Sequence, residues 1–466
     1  MLWPSNWAAT FLRDSMDYFY IAGVTLMWIA VALTIIHVML DNRQPAKTMA
    51  WVMVVIFVPI AGILLYFFFG INQRRKKRAE WRQINQLGQR SQQAEPYSAT
   101  AIDMLTSGNE YFASLLADIH SARSHIHIDC YIIDDDRQGR KISEALIEKA
   151  REGIEIRIIY DDVGCWRTGN RFFENMREEG IEVAAFLPVR FPSFTSKINY
   201  RNHRKLVIID GTVGYIGGMN IAERYTVWRD TMLRLQGSVV YAMQRAFLED
   251  WYRVDGTLIT QRKYYPNAEK TADEQTATAV SKVADRATIV TSAPVDAYPA
   301  IMQQYVKAIA SARRYILIQT PYFMPNEPVL FALKMAIAAG VKVKVMCPLH
   351  SDTRLTQWAS RSFLREMTDA GAEVLLFLPT VLHAKTMVID DKCFTCGSTN
   401  IDIRSFENNF EANVFIDGED AAVRMRHIFE NDAKDCAALS DRPDLLSPSL
   451  PMRLWESIVR LLAPVL

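Results

Sequence analysis

The sequence predicts an α/β fold: two similar domains, each a mixed sheet flanked by helices, packed pseudo-symmetrically and preceded by a two-helix transmembrane hairpin. Three observations support this prediction. Two long apolar stretches lie near the amino terminus, short β-branched runs alternate with amphipathic helical ones from about residue 103 onward, and that alternation occurs twice. We expect the two domains at residues 95–260 and 285–440.

Both apolar stretches are long enough to cross a bilayer. Residues 18–40 and 48–70 each comprise 23 residues without a formal charge, apart from the titratable His37. About 20 apolar residues in a helix span the hydrocarbon core, whereas a secretory signal has a shorter apolar core and a cleavage site of small residues. The connecting loop has only seven residues, so the two helices are expected to run antiparallel.

Charge beside the hairpin predicts its orientation. Five consecutive basic residues, 74–78, follow the second span, and such clusters stay on the cytoplasmic side. Residues 1–17 are then a short cytoplasmic segment, and everything after Arg78 is cytoplasmic. The cluster also suits contact with anionic headgroups, at about 1 kcal/mol for each Lys or Arg near the surface.

Composition excludes several classes of protein. Half of the residues are apolar and 23% are charged, which is typical of a folded chain. The formal net charge of +1 provides no global field toward a polyanion, so we expect no nucleic-acid partner. Six cysteines do not form a disulfide framework, and Cys393 and Cys396 lack the second pair that a zinc site needs. We expect a reducing compartment, a structural role for these two cysteines, no metal and no cofactor.

Three pairs of segments indicate an internal duplication. IHSARSHIHI (119–128) is similar to IASARRYILI (309–318), KAREGIEIRIIY (149–160) to AIAAGVKVKVMC (336–347), and GIEVAAF (180–186) to GAEVLLF (371–377). The separations of 190, 187 and 191 residues place the length differences in loops. Residues 257–286, between the copies, are polar and are interpreted as a linker or an exposed connection.

One motif of chemical interest lies in each copy, 180 residues apart. Both read His-x-Lys, four residues, Asp, then a small pair and an Asn at the same distance. The positions are His203, Lys205, Asp210, Gly217, Gly218 and Asn220 in the first copy, and His383, Lys385, Asp390, Gly397, Ser398 and Asn400 in the second. Two like domains usually pack about a pseudo-twofold axis, which would place both histidines in one cleft.

This set of side chains suits a phosphodiester. The lysines and asparagines can donate to the non-bridging oxygens and stabilise a five-coordinate transition state, and a glycine lets the backbone approach a ligand closely. One imidazole can attack phosphorus and form a phosphohistidine, while the other protonates the leaving oxygen and then deprotonates the incoming nucleophile. The predicted catalytic residues are His203, Lys205, Asp210, His383, Lys385 and Asp390, and the predicted phosphate-binding residues are Asn220, Asn400, Ser398 and Gly218.

The two aspartates of the motif have a different local setting. Asp210 and Asp390 each end an apolar strand before a turn. That position favours holding the loop together over proton chemistry.

The motif resembles the signature of the phospholipase D superfamily, HxKxxxxD followed by GG or GS and an Asn. The strings NYRNHRK (199–205), LHAKTMVIDD (382–391) and GSTNIDIRSFENNFE (397–411) are similar to bacterial-type cardiolipin synthases, as is the hairpin. This resemblance implies transfer of a phosphatidyl group between two phosphatidylglycerol molecules, at the bacterial inner membrane, with glycerol released. It also implies that an acidic residue after each motif, Asp230 and Glu411, orients a catalytic histidine.

The sequence leaves rival functions open. A hydrolase that uses water as the second nucleophile would need the same residues, and another phospholipid, such as phosphatidylethanolamine, could replace one substrate. A non-catalytic membrane scaffold is a third possibility, which the intact duplicate motifs disfavour. The attacking histidine is expected to be His203 from the resemblance, and the oligomeric state stays open.

Two further segments suit a membrane surface. Residues 187–202 are longer than their counterpart in the second copy and contain Phe191 and Phe194 beside basic residues, which predicts either a guide for the lipid or a plain surface loop. Residues 450–466 have the pattern of an amphipathic helix. That helix could lie in the membrane interface, or dock on the hairpin or a partner.

Overall fold

The computed structural model describes residues 7–40, 45–67, 97–189, 200–266, 285–294, 296 and 299–464. These residues form two compact units, an amino-terminal helical unit and a larger α/β body. The basic cluster at 74–78 and residues 190–199 of the predicted lipid guide lie outside the described residues.

The amino-terminal unit consists of α1 (Trp7–Leu40), α2 (Pro45–Phe57) and α3 (Pro59–Leu65). Within α1, the segment Asp17–Leu40 has a mean hydropathy of 2.2 and is almost wholly exposed. Among the described residues, it is the one helix that is long and apolar enough to cross a membrane.

The second predicted span, 48–70, is not one continuous helix. Val58 leaves the helical conformation, with φ −133° and ψ 68°, because the ring of the following Pro59 disfavours helical geometry in the residue before it. Helix α3 then begins at Pro59. Val55 and Tyr66, on either side of the break, pack with residues of α1, so the predicted hairpin is observed in part, with a broken second arm.

The first half of the α/β body alternates strands and helices. In chain order it contains β1 (Tyr97–Ala99), β2 (Ala101–Ser107), α4 (Gly108–Ser121), β3 (His125–Cys130), α5 (Arg137–Arg151), β4 (Glu155–Asp161), α6 (Asn170–Glu178), β5 (Glu182–Phe186), β6 (Arg201–Asn202), β7 (Lys205–Ile209), β8 (Val213–Gly217), β9 (Arg229–Gln236) and α7 (Val239–Asp255). Seven of the strands form a sheet in the order β2-β9-β8-β7-β3-β4-β5. Strands β3, β4 and β5 are parallel, and the others pair antiparallel.

The second half repeats this alternation. In chain order it contains β10 (Asp285–Ser292), α8 (Ala300–Ser311), β11 (Tyr315–Gln319), β12 (Phe323–Met324), α9 (Glu327–Ala338), β13 (Lys342–Pro348), α10 (Arg354–Asp369), β14 (Glu373–Phe377), β15 (Thr386–Ile389), β16 (Cys393–Gly397), β17 (Ile401–Asp402), α11 (Ile403–Glu407), β18 (Asn409–Asp417), α12 (Glu419–Ala433), β19 (Cys436–Ala438), α13 (Pro443–Leu446) and α14 (Leu450–Arg460). Its sheet contains the order β10-β18-β16-β15-β11-β13-β14. This order matches the first sheet strand for strand, which confirms the predicted duplication.

The second sheet is larger because it takes strands from elsewhere. Strand β1, from the start of the first half, pairs antiparallel with β10, and β6, just before His203, pairs parallel with β18. Strand β19 covers the far edge beside β14. Strands β1 and β6 lie within the predicted first domain, residues 95–260, and both contribute to the sheet of the second half.

The largest hydrophobic core is shared by the two halves. It contains Leu206 and Ile216 from the first sheet and Val388 and Val414 from the second, together with buried residues of α7 and α12. Each half also has a core of its own on the opposite face of its sheet. Since burial of apolar surface is the main stabilising term in folding, the two halves are held as one body.

The predicted linker at 257–286 is not simply exposed. Tyr264, within a short 3-10 helix, is fully buried, and its ring contacts those of His125 and His127 on β3. Residues 267–284 lie outside the described residues. No local sequence pattern predicts this contact of Tyr264, because the partner strand lies more than a hundred residues earlier.

The strand β16 contains both Cys393 and Cys396 as free thiols. Residues three apart on a strand project to opposite faces, so the pair does not converge on a common ligand. Both face into strand packing, in keeping with a structural role.

Candidate active site

Each histidine of the duplicated motif is held by the backbone of the other half. His203 follows β6, and its N–H donates to the carbonyl oxygen of Phe410 on β18 at 2.9 Å. In the same way, the N–H of His383 donates to the carbonyl oxygen of Arg229 on β9 at 2.7 Å. Backbone contacts between the halves therefore help to place both histidines.

Glu411 on β18 holds the ring of His203. The two carboxylate oxygens lie 3.0 and 3.2 Å from Nδ1 of the imidazole, and the carboxylate is fully buried. Ser398 donates to this carboxylate through its hydroxyl at 2.5 Å, and Asn409 donates through its amide at 3.2 Å. The orientation of Glu411 is thus fixed before any substrate arrives.

Asp230 on β9 holds the ring of His383. Its Oδ2 lies 2.6 Å from Nδ1 of the imidazole, and its Oδ1 accepts a hydrogen bond from the N–H of Thr231 at 2.7 Å. Gly218 packs directly against this carboxylate. A Cβ at that position would lie only 2.2 Å from Oδ1, so a larger residue would clash with it. The glycine of the motif is required here for the close approach of the carboxylate.

The pairing of carboxylates and histidines is crossed. The sequence predicted that Asp230 and Glu411 orient histidines, each following its own motif, without showing which ring each would hold. In the structure, Glu411 of the second half holds His203 of the first, and Asp230 of the first half holds His383 of the second. Each motif histidine is therefore paired with a carboxylate from the other half.

The two lysines of the motif lie beside the histidines. Lys205 donates from Nζ to the carbonyl oxygen of His203 at 2.6 Å, and Lys385 does the same to that of His383 at 2.5 Å. Burial lowers the pKa of each lysine to about 8, with Glu411 opposing the shift in both. The positive charge of Lys385 also lowers the pKa of Lys205, so the two motifs form one electrostatic cluster.

The pKa of each imidazole is lowered in this setting. Burial lowers the pKa of His203 to about 4; Glu411 opposes that shift, and the charges of Lys205 and Lys385 add to it. Burial, with Lys385, also lowers the pKa of His383. Nδ1 of each ring faces a carboxylate, which favours the Nδ1–H tautomer and leaves Nε2 for a substrate. At His383, Nζ of Lys385 also lies 2.9 Å from Nδ1.

The aspartates of the motif are placed away from the histidines. Asp210 lies at the carboxyl end of β7, whereas Lys205 begins that strand. Its carboxylate accepts hydrogen bonds from three consecutive backbone N–H groups, those of residues 123–125, at 2.8 to 3.0 Å. Asp390 likewise accepts from the N–H groups of residues 313–315, at 2.6 to 2.8 Å.

The asparagines of the two copies differ. Asn220 is fully engaged: its Oδ1 accepts from the N–H of Ile132 at 3.1 Å, and its amide nitrogen bonds the hydroxyl of Tyr225. Asn400 interacts with the carboxylate of Asp402 through its side chain, and its Oδ1 is buried with no hydrogen-bond partner among the described residues. Spare hydrogen-bonding capacity is therefore found at Asn400 rather than at Asn220.

Aromatic rings that the sequence analysis did not single out line both histidines. The ring of Tyr131 lies edge-on to His203 at 5.0 Å, while Tyr225 and Trp228 lie 5.6 and 5.4 Å from His383. These rings desolvate the imidazoles and restrict their rotation. No local pattern marks them, although Tyr131 directly follows the buried strand β3.

A buried arginine next to the first histidine was also missed. The guanidinium of Arg204 pairs with Asp250 on α7 and donates to the carbonyl oxygens of Glu411 at 3.1 Å and of Ser292 at 3.4 Å. It thereby joins α7 of the first half to two strands of the second. No local pattern marks its burial, because its partners lie 46, 88 and 207 residues away in the sequence.

Two histidines, two lysines and two buried carboxylates in one cluster are the kinds of side chain that suit a phosphodiester-transfer enzyme. Comparison with family models agrees: a model described as the phospholipase D-like domain of cardiolipin synthase matches residues 115–251 and again 305–433. A model of the phospholipase D–nuclease amino-terminal segment matches residues 25–70.

Curated relatives cover nearly the whole chain. A cardiolipin synthase of Oceanobacillus iheyensis is 35% identical over 486 aligned residues, which cover 95% of this chain and 98% of the relative. The major cardiolipin synthase of Bacillus subtilis is 35% identical, with 94% and 97% covered. This chain therefore belongs to the cardiolipin synthase family of phospholipase D-type phosphatidyltransferases, and the resemblance seen in the sequence is confirmed.

Solved structures share the fold. Phosphatidylserine synthase from Haemophilus influenzae superposes with a TM-score of 0.60 at 13% identity, over 82% of this chain and the whole of that one. Polyphosphate kinase from Porphyromonas gingivalis gives a TM-score of 0.50 at 13% identity, over 72% of this chain and 48% of that one. Together with the spanning helix in α1, the family places this enzyme at a membrane, acting on phospholipid.

Proposed function

We propose that this protein is a cardiolipin synthase that transfers a phosphatidyl group from one phosphatidylglycerol to another and releases glycerol. The observation that supports this best is the crossed pair of imidazole–carboxylate contacts, since it supplies two differently held histidines beside one pair of lysines. One imidazole serves as nucleophile and the other as acid and base.

In the first step, Nε2 of His203 attacks phosphorus and a phosphorus–nitrogen bond forms. The bond from phosphorus to the glycerol headgroup breaks, and the leaving oxygen takes a proton from Nε2 of His383. For that donation His383 must be protonated, and the negative phosphodiester raises its pKa on binding, because an opposite charge favours the charged form. Asp230 stabilises the imidazolium, and Lys205 and Lys385 neutralise the non-bridging oxygens.

In the second step, the free hydroxyl of a second phosphatidylglycerol attacks the phosphohistidine. Its proton passes to the now neutral His383, the phosphorus–nitrogen bond breaks, and His203 is regenerated. Glu411, fixed by Ser398 and Asn409, keeps Nε2 of His203 aimed at phosphorus in both steps.

We assign the remaining motif residues as follows. Asn400, whose Oδ1 has no partner among the described residues, can accept a hydrogen bond from a headgroup hydroxyl of the substrate. Asn220 instead holds the loop after β8 together. Asp210 and Asp390 fasten the strands behind the motif through backbone N–H groups. Two spans with the basic flank at 74–78 would leave the catalytic body on the cytoplasmic side of a bacterial inner membrane.

A single assay tests the proposal. The purified protein is incubated in vesicles of phosphatidylglycerol, and the products are resolved by mass. Cardiolipin together with free glycerol supports transfer between two phosphatidylglycerol molecules. Phosphatidic acid without cardiolipin would instead mean hydrolysis, and a mixed product with added phosphatidylethanolamine would mean a different second substrate.

A further inference from the structure

The carboxyl-terminal helix docks on the second half through charged side chains. α14 packs on α10, where Glu456, only 1% exposed, pairs with Arg365 at 2.5 Å. Arg460 pairs with Glu366 at 2.5 Å and lies over the ring of Phe363, 3.9 Å from its centroid. These contacts fix the rotation of the helix about its own axis.

With that rotation, the apolar side of α14 faces outward. The exposed side chains of this side, here called the outward arc, are Leu450, Leu454, Trp455, Ile458, Leu461 and Leu462. At 3.6 residues per turn they fall within about 140° of the helix circumference. A helix in a soluble protein buries such a stripe against the core. Here the buried residues of the helix are Glu456 and Val459, and the wider apolar stripe is exposed.

The rim of the outward arc has the chemistry of a membrane interface. Trp455 meets Trp358 of α10 edge to face, with ring centroids 5.7 Å apart, and tryptophan concentrates at the level of lipid headgroups. Arg453, next to the arc, is exposed and makes no ion pair within the described part of the chain. An unpaired cation at this position complements an anionic headgroup.

The helix is also tied to the site. The carbonyl oxygen of Pro464, just after α14, accepts a hydrogen bond from the amide of Asn408 at 3.4 Å. Asn408 directly precedes β18, the strand that contains Asn409 and Glu411. Whatever surface covers the outward arc therefore has a fixed geometry relative to the carboxylate that holds His203.

We propose that the outward arc inserts into the interfacial layer of the bilayer that contains the substrate, as a second membrane contact besides the amino-terminal helix. A bilayer is the apolar phase at hand, because the chain itself has a helix of spanning length and belongs to a family that acts on phospholipid. Burial of six apolar side chains there stabilises the catalytic body in one orientation. This contact does not depend on which phospholipid is the acceptor.

An environment-sensitive probe tests the insertion directly. The full chain with Leu461→Cys is labelled with a nitrobenzoxadiazole group and placed in phosphatidylglycerol–phosphatidylethanolamine vesicles that contain doxyl-labelled lipid. We expect a blue-shifted emission that is quenched by a shallow doxyl group. The matched control is Leu258→Cys, at an apolar side chain of similar exposure off the helix, which should keep a water-like emission; the labelled parent chain gives the background from native thiols.

Other occupants of the arc give different results and would overturn the proposal. A water-like, unquenched probe at position 461 would mean that nothing covers the arc. A blue shift that persists in detergent and grows with protein concentration would mean that a second copy covers it. A shift in detergent without concentration dependence would mean that the arc is covered by the chain's own amino-terminal unit.

A rate measurement gives an independent test. The triple variant Leu454→Ser, Ile458→Ser, Leu461→Ser removes only exposed side chains, so its melting temperature should not change. We expect turnover of vesicle substrate to fall about ten-fold as the body loses its orientation, with turnover of a soluble short-chain substrate unchanged, and Leu258→Ser as the neutral control. An unchanged vesicle rate, or an equal loss on both substrates, would contradict the proposal.

Discussion

The two halves share a strand order, but the carboxylates that bind their histidines have different surroundings. In the cluster around His203, the long side chain of Glu411 reaches the ring and is itself held by Ser398 and Asn409. In the cluster around His383, the shorter Asp230 reaches the ring, and among the described residues its other carboxylate oxygen accepts from the backbone N–H of Thr231. The backbone of Gly218 leaves room for it instead.

This difference shows what duplication supplies and what it does not. Because both halves have the same strand order, their histidine motifs occupy equivalent positions in the two sheets. Each histidine is bound by a carboxylate from the other half, so neither motif is complete without the other copy. The surrounding side chains differ between the copies. Glu411 binds His203, Ser398 and Asn409, whereas Asp230 binds His383 and packs closely against Gly218. We infer different duties for the two rings, nucleophile for His203 and acid–base for His383.

The largest expected effect comes from removing either histidine. His203→Asn and His383→Asn should each lower kcat/KM by about 10⁴-fold or more, because either change ends the two-step route. The melting temperature of each variant serves as the control for folding. A transfer rate within ten-fold of the parent in either variant would contradict the claim that both histidines take part in the reaction.

Substitution of each carboxylate by its amide should distinguish the nucleophile from the acid–base residue. Glu411→Gln and Asp230→Asn should each slow transfer from phosphatidylglycerol by about 10²- to 10³-fold, since a fixed tautomer and a stabilised imidazolium are lost. With an activated leaving group, such as a p-nitrophenyl ester, no acid is needed. Asp230→Asn should then recover most of its rate and Glu411→Gln should not; equal recovery in both would remove the distinction.

The small residues of the motif should show the same asymmetry on a smaller scale. Gly218→Ala places a methyl group 2.2 Å from an oxygen of Asp230, so it must displace that carboxylate, and we expect a loss of about 100-fold. Ser398→Ala removes one donor to Glu411 and should cost about ten-fold. Steady-state kinetics on both leaving groups, with melting temperatures as controls, would test this order; a reversed order would contradict the geometry.

The pH profile should have two limbs. Below a pH of about 4, His203 becomes protonated and cannot attack, so kcat/KM should fall as the pH decreases through its lowered pKa. On the alkaline side, kcat/KM should fall as the pH rises through the lowered pKa of His383, which must carry a proton in the first step. It should fall further above a pH of about 8, where Lys205 and Lys385 lose the protons that neutralise phosphate. A limb near pH 6.5, the ordinary value for histidine, would mean that burial does not lower the pKa of these two rings.

The aspartates of the motif should affect stability rather than rate. Asp210→Ala and Asp390→Ala each remove an acceptor for three backbone N–H groups, which we expect to lower the free energy of unfolding by about 2 kcal/mol. The folded fraction should keep its kcat within a few-fold. A large loss of kcat at unchanged stability would instead give these carboxylates a part in the chemistry.

Much of the architecture was predictable because it is written in local patterns. The matched segments predicted the duplication, and the spacing of residues around His203 and around His383 predicted the two motifs. Both kinds of pattern extend over only a few residues, so they can be read from the sequence. The crossing of the carboxylates was not predictable in this way. Glu411 lies 208 residues from His203 and Asp230 lies 153 residues from His383, so only the packing of the halves decides the pairing.

Other failures of sequence reasoning have the same origin. Strand β1 precedes the first half yet completes the second sheet, and Arg204 is buried because partners from both halves surround it. The second apolar stretch was read as one span because hydropathy averages over Pro59, whose effect is local and geometric. For α14, the periodicity gave the apolar side but not the direction in which that side faces.

The most direct test of the central claim is to identify which residue becomes covalently modified. A phosphatidyl donor with an activated leaving group is mixed with the parent enzyme and with His383→Asn, quenched within one turnover, and mapped by mass spectrometry. The account predicts a phosphatidyl adduct on His203 in both proteins and none in His203→Asn. An adduct on His383, or turnover without any adduct, would contradict it.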